Sequence, residues 1–258
     1  MSPDEPDSAM LVKQRKYMAN VGALLFLTRC TFPVVSFAVG RLGRFAKKNG
    51  EEHMKEMRHL LKYLFSVRTM GIRYARPTHL PVLSPEAIVT SWNAAKPDFK
   101  CYTDSDFAGC PDTCRSTSGG TIVWMGAAIT WMSMLQACVT LSVAEAEMVA
   151  MSKAAQELIW LRRFLSELLG EDITSPSCIW CDNQAALALV DNRVHHARTK
   201  HIKLRGCFIK EHKDSGELDP QHVDGTKNLA GIFTKVLSPA VIESHFLAIH
   251  GMNIAYTE

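Results

Sequence analysis

Cys101-Tyr102-Thr103-Asp104-Ser105-Asp106 reads as an apolar strand that runs into two acidic residues. Positions two apart on a strand share a face, so Asp104 and Asp106 are expected on one side at its end. A second run, Cys178-Ile179-Trp180-Cys181-Asp182-Asn183, has the same form. Around these two, Phe99–Phe107, Gly120–Trp124 and Ala128–Ser133 read as strands, Ser142–Leu169 as a long helix, and Cys178–Asp182 as a short buried strand. Gln184–Val190 and Thr199–His212 read as helices, Lys213–Gly216 as a polar turn, Gln221–Val223 as a strand, and a last helix begins at Lys227. Three strands, a helix, a strand, two helices and a strand make an α/β domain with a mixed sheet. In open α/β sheets, sites gather at the carboxyl ends of strands. Two such strands side by side bring Asp104 and Asp182 together.

The long helix offers a third carboxylate. Ser142-Val143-Ala144-Glu145 fits a capping box, with Ser142 as N-cap and Glu145 reaching back to the N-cap amide. That accounts for Glu145 structurally. Glu147 lies ~200° further round, at ~100° per residue. It heads a stripe with Ala150, Met151, Ala154, Leu158, Leu161, Leu165 and Leu168, the face that packs on the sheet. A carboxylate there is costly unless something positive meets it. Asp104, Glu147 and Asp182 together would repel one another unless a divalent cation neutralised them, and oxygen-only donors suit Mg2+ or Mn2+. Perturbed acidic clusters are also built for structure, so spacing alone leaves both readings open.

Outside this region the chain is different. Among its 258 residues, the first hundred hold 16 Lys and Arg against 8 Asp and Glu, while the remainder holds 13 against 18. A basic part suits phosphates and an acidic part suits cations. Tyr17–Phe45 reads as two apolar helices broken near Thr31-Phe32-Pro33, and 51–66 as a helix with Met54, Met57, Leu60, Leu61, Leu64 and Phe65 on one face. Lys55, Arg58 and Lys62 form a basic stripe on it, which is either a solvated face or a phosphate-tracking one. Prolines at 77, 81 and 85 mark a linker. The acidic start is no secretory signal, and Val21–Gly40 is interrupted by Arg29 and Pro33, short of a membrane span. An intracellular protein, cytoplasmic or nuclear, is therefore expected. Eight cysteines without an export signal read as structural thiols. Cys110-x3-Cys114 and Cys178-x2-Cys181 are weak zinc patterns, the second because strand positions three apart face opposite ways.

Six segments, in order, carry a resemblance: Tyr102–Gly109, Arg115–Gly120, Ser142–Glu147, Cys181–Asn183, Arg198–Ile202 and Asn228–Lys235. Together they resemble the ribonuclease H domain of copia-type retrotransposon Pol polyproteins. Val21–Thr28, Phe37–Phe45 and Leu60–Leu64 resemble the end of the same elements' reverse transcriptase. The resemblance implies a ribonuclease H-like mixed five-stranded sheet flanked by helices, preceded by a mainly helical connection segment. It implies a helical segment at 11–76, a linker at 77–96, the ribonuclease H-like domain at 97–237 and a C-terminal helix or tail at 238–258. It further implies that Asp104, Glu147 and Asp182 bind catalytic Mg2+ (or Mn2+), and that the domain cuts the RNA strand of an RNA/DNA hybrid by two-metal hydrolysis. Arg115, Ser116, Thr117, Arg198 and Lys200 become candidate phosphate or sugar contacts, each of which is equally well read as ordinary surface. His222 is either a proton shuttle or a solvent-facing strand histidine.

The chain also departs from this pattern. Gly231 stands where the family carries a fourth metal-site aspartate, and Lys203 and Cys207 stand where it carries an acidic residue and a histidine. No Tyr-x-Asp-Asp motif occurs, so DNA synthesis is not expected. These changes suggest a truncated, decaying copy. Besides an active hybrid ribonuclease, two readings stay open: a weak or inactive domain that still binds nucleic acid, and a repurposed protein-binding module.

Overall fold

The computed structural model describes residues 8–74, 99–170, 172–191 and 200–252. The chain divides into two compact units, Met1–Ile72 and Arg73–Glu258. The linker expected at 77–96 lies outside the described residues.

In the first unit, α1 (Ser8–Cys30) stops just before Phe32-Pro33, where the proline restricts its predecessor and opens a 3-10 turn, Pro33–Val35. There follow α2 (Ser36–Arg44) and α3 (Glu51–Ser66). The break and the third helix match the sequence reading. Glu51 and Glu52 sit in the first turn of α3, where its dipole favours them. Tyr17, Val21, Leu24, Val39, Leu42, Met57 and Leu60 form the small core, and the Tyr17 hydroxyl donates to the Leu42 carbonyl at 2.9 Å. The apolar face of α3 is narrower than expected: of this helix only Met57 and Leu60 are buried, while Leu61 and Phe65 are exposed. Lys55, Arg58 and Lys62 line a shallow cavity with Glu56 and His59. Among the described residues no helix is long and apolar enough to cross a membrane.

In the second unit, β1 (Lys100–Ser105), β2 (Thr117–Trp124), β3 (Ala127–Leu135), β4 (Ser177–Cys181) and β5 (Leu218–His222) form one sheet in the order β3-β2-β1-β4-β5. The first three run antiparallel, and β1, β4 and β5 are parallel. Met125 and Gly126, both at positive φ, turn the β2–β3 hairpin, as a two-residue loop with the right twist requires. The mixed five-stranded sheet flanked by helices is thus the expected one. The long helix α4 (Val143–Leu169) follows its N-cap Ser142. The short helices α5 (Gln184–Asp191) and α6 (Lys200–Asp214) occupy the chain between β4 and β5. Met148, Met151, Leu158 and Leu165 of α4 bury against Phe99, Cys101, Ile122 and Ile179. Each such side chain is worth ~1.5–3 kcal/mol on full burial, which seats α4 and everything it carries. The stripe ends sooner than expected, for Leu168 is 65% exposed.

One expectation is corrected here. No long helix starts at Lys227; a 3-10 segment, Leu229–Phe233, comes first, and α7 (Pro239–Ile249) follows after Ser238. Pro239 fits the first turn of a helix, not its interior. The 3-10 segment and α4 take opposite faces of the sheet. A Cβ at Gly120 would lie 3.5 Å from the Ala154 Cβ on α4, whereas one at the neighbouring Gly119 would lie 2.9 Å from the Phe233 Cβ.

Buried Arg162 fastens the far end of α4. Its guanidinium donates to the Ile173 carbonyl (2.6 Å), the Ser175 carbonyl (2.8 Å) and the Ser177 hydroxyl (2.6 Å). Arg162→Met is expected to destabilise the fold by roughly 2–4 kcal/mol in urea unfolding, because three acceptors lose a charged donor. A loss under ~1 kcal/mol would show that water replaces the clamp.

Candidate metal centre

Asp104 is the penultimate residue of β1 and is 1% exposed. Its register partner on β2 is Gly119. The Asp104 Oδ2 accepts from the Thr234 hydroxyl, and Oδ1 pairs with Lys235 Nζ at 3.1 Å. Glu147, in the first turns of α4, is 3% exposed and accepts from the Ser105 amide at 3.1 Å. Asp182 follows directly on β4, half-buried. One ligand atom each of Glu147, Asp182 and Cys181 lie within 4.8 Å of one another, and the Cys181 Sγ is 3.8 Å from Glu147 Oε2.

The electrostatics follow from this crowding. Burial, then the charges of Asp104 and Asp182, push the Glu147 carboxyl up to about 8. Burial and Asp104 also raise the Asp182 carboxyl, against the opposing pull of Lys235. Burial lowers the Lys235 ammonium, but the charge and hydrogen bond of Asp104, then Asp182 and Glu147, outweigh it, so its affinity for the proton rises. Burial, with Glu147 beside it, raises the Cys181 thiol well above its ordinary range, which keeps it protonated. Oxygen donors that strain against one another in a buried site fit a hard divalent cation. Beside them the Ser105 hydroxyl is buried without a hydrogen-bond partner.

On α4, Glu147 faces the aspartates while half-buried Glu145 caps. Its amide donates to the Ser142 hydroxyl oxygen at 3.2 Å. Its carboxylate, however, reaches the Leu141 amide at 2.9 Å, one residue before the N-cap amide expected. Asp106 does not join the centre; its carboxylate accepts from the Thr117 amide and ties the β1–β2 loop. Asp224 is bound to the Thr226 amide at 2.8 Å in a turn. Cys178 and Cys181 point apart, the first toward Asp219 and the second toward Glu147.

Of the candidate contacts, Arg115 is half-buried, but Ser116 and Thr117 are buried. The Ser116 hydroxyl accepts from the Ala108 amide at 3.1 Å and lies 3.2 Å from the Thr140 hydroxyl, so it shapes the loop and faces no solvent. Arg198 lies outside the described residues; Lys200 opens α6, and its side chain is not among those described. His222 is exposed at the end of β5. Lys235, Thr234 and Asn228 were not singled out by residue type, although all three lie in the motif Asn228–Lys235. Buried Asn228 donates to the Thr103 carbonyl at 2.8 Å and so binds this segment to β1. A Cβ at Gly231 would meet Lys235 Cε at 3.4 Å and Leu237 at 3.9 Å, so that position looks toward the residue paired with Asp104.

No family model matches the chain. Among curated proteins it is similar to the retrovirus-related Pol polyprotein from transposon TNT 1-94 of Nicotiana tabacum, 36% identical over 86% of the chain. It is similar to that from transposon RE1 of Arabidopsis thaliana, 33% identical over 91%. The chain spans 15% of the length of each. It is also 33% identical, over 58% of its length, to the secreted RxLR effector protein 161 of Plasmopara viticola, covering 94% of that protein. Among solved structures, it is similar to an N-terminal RNase H domain from Mycobacterium tuberculosis at 8% identity and TM-score 0.41, over 58% of this chain and 96% of that one. It is similar to the LC11 RNase H1 in complex with an RNA/DNA hybrid at 17% identity and TM-score 0.38, over 51% and 88%.

Proposed function

Because the chain belongs with the retrovirus-related Pol polyproteins of transposons, we propose that its second unit hydrolyses the RNA strand of RNA/DNA hybrids. The observation that carries this reading is the convergence of Asp104, Glu147 and Asp182 at the carboxyl ends of β1 and β4. These three would hold Mg2+ or Mn2+, which when bound supplies an acidified water and neutralises charge on the phosphodiester. The rest is the work of the chain's own residues. The Ser105 amide fixes one oxygen of Glu147, and Thr234 fixes one of Asp104, so the carboxylates are oriented before any ligand arrives. Arg115, and by sequence alone Arg198 and Lys200, are the candidate phosphate contacts, and hybrid recognition would rest on 2′-hydroxyls in the minor groove. The basic stripe of α3 is a second phosphate-tracking surface, on the first unit. The cytoplasm or nucleus, where such hybrids form, is the compartment this activity calls for.

The test is a labelled hybrid incubated with Mg2+ and, separately, Mn2+, with single-stranded RNA and duplex DNA as controls. Cleavage confined to the RNA of the hybrid is expected; a folded chain that leaves the hybrid intact at every metal concentration overturns the reading. The wild-type rate is expected to be low, because Gly231 supplies no side chain. Gly231→Asp is expected to raise it at least about tenfold, or ~1.4 kcal/mol of barrier. The new carboxylate would enter beside Lys235, the partner of Asp104, on backbone that needs no positive φ. An unchanged rate would remove Gly231 from the account.

A further inference from the structure

Both oxygens of Asp104 are taken by one dipeptide. Thr234 holds Oδ2 and Lys235 holds Oδ1, and Asp104 is itself almost wholly buried. The segment carrying them is fixed: Asn228 binds it to the Thr103 carbonyl, and Gly119 leaves the space in which Ala230, Phe233 and Thr234 lie. The Lys235 side chain is not enclosed in the same way, being 43% exposed. Its stem passes Gly231, where a Cβ, were one present, would lie 3.4 Å from Cε. A lysine is a compact charge on a flexible four-carbon stem, able to leave and return without moving the backbone.

We infer that Lys235 is a tethered counter-ion of the acidic centre, which occupies Asp104 Oδ1 in the cation-free protein and must give it up to a divalent cation. This rests on the reading of Asp104, Glu147 and Asp182 as a metal centre. The physical ground is competition: an ammonium and a metal ion cannot both use the same lone pairs, and an ammonium beside the centre also repels an arriving cation. With the cation absent, Lys235 keeps a buried carboxylate from standing unpaired among two others. Lys235 is thus a positioning residue, the weak intramolecular partner that Asp104 exchanges for a strong external one.

The experiment measures Mn2+ binding by loss of the free-ion paramagnetic resonance signal, with thermal melting in chelator and in saturating Mn2+. Wild type is compared with Lys235→Met, Lys235→Gln and Lys235→Arg. Both neutral variants are expected to bind Mn2+ about five- to tenfold more tightly. In chelator they are expected to melt below wild type, with the deficit shrinking once Mn2+ is added. Lys235→Arg, which keeps the charge, is expected to stay close to wild type. Unchanged or weaker affinity in a folded neutral variant, with hybrid cleavage by wild type intact, overturns the inference and leaves the proposed function standing. Wild type that binds no Mn2+ overturns both. Should the methionine variant fail to fold, the glutamine variant, which can still reach Asp104 as a neutral donor, decides alone.

Discussion

Glu147→Gln is expected to lower hybrid cleavage at least about a thousandfold, ~4 kcal/mol of barrier, while making the cation-free protein more stable near pH 8. The two effects share one cause. The Glu147 carboxyl is held up to about 8 in the fold, against its ordinary 4.5, chiefly by burial and then by Asp104 and Asp182. The folded chain therefore binds this proton more tightly than the unfolded chain does. Its contribution to stability is complete below about pH 4.5 and is lost progressively as pH rises to about 8. A glutamine does not ionise, so the slope disappears. The difference at pH 8 is on the order of a few kcal/mol. Urea unfolding in chelator at pH 5 and pH 8 measures it. Parallel pH dependence in wild type and variant would show that Glu147 is not the strained carboxylate. This is the usual bargain of a functional site, where a group that destabilises the resting fold is kept for what it does when its ligand is present.

The second large effect is expected at Gly119, the register partner of Asp104. A Cβ there would come within 2.5 Å of the Thr234 methyl and 2.9 Å of the Ala230 carbonyl oxygen, the second of which is backbone that cannot step aside. Gly119→Ala should cost roughly 1–3 kcal/mol by overpacking. It should also slow cleavage, because Thr234, which orients Asp104, rides on the segment that is pushed away. Gly120→Ala is the control on the opposite face. Its Cβ would meet the terminal methyl of Met132 at 2.9 Å, a flexible end that can rotate. Paired unfolding curves should rank Gly119→Ala as the more damaging, and the reverse order would mean that the Leu229–Phe233 segment is not pinned at this point.

Much of this was legible in the residues. The alternation of strands and helices from Phe99 onward follows from local periodicity, as does the choice of Glu147 over Glu145, since a helix face is fixed by ~100° per residue. The hidden part was long-range. Nothing local marks Lys235 as the partner of a carboxylate in β1, or Asn228 as a bridge to the Thr103 carbonyl. Ser116 and Thr117 carry polar side chains that suit a surface, yet the sheet buries both, and their polarity serves the fold. The helix expected from Lys227 failed for a similar reason. Asn228 turns its side chain to the Ala230 amide and its amide group to β1, and the chain spends a 3-10 turn there before Pro239 can start α7.

The ion pair between Lys235 and Asp104 joins residues 131 positions apart, and this bears on how the domain acquires its site during synthesis and folding. The parallel strands β1 and β4 must find each other across the intervening hairpin and the whole of α4, and β5 must then add beyond them. Contacts of such sequence separation are entropically slow to form and late to be rewarded. A nascent chain that has emerged only as far as Asp182 carries all three carboxylates but neither Thr234 nor Lys235 to restrain them. The acidic residues then depend on solvent and free ions alone until the segment Asn228–Lys235 docks. Chelator present during refolding, rather than after it, should therefore slow the recovery of native signal more than it lowers the final yield.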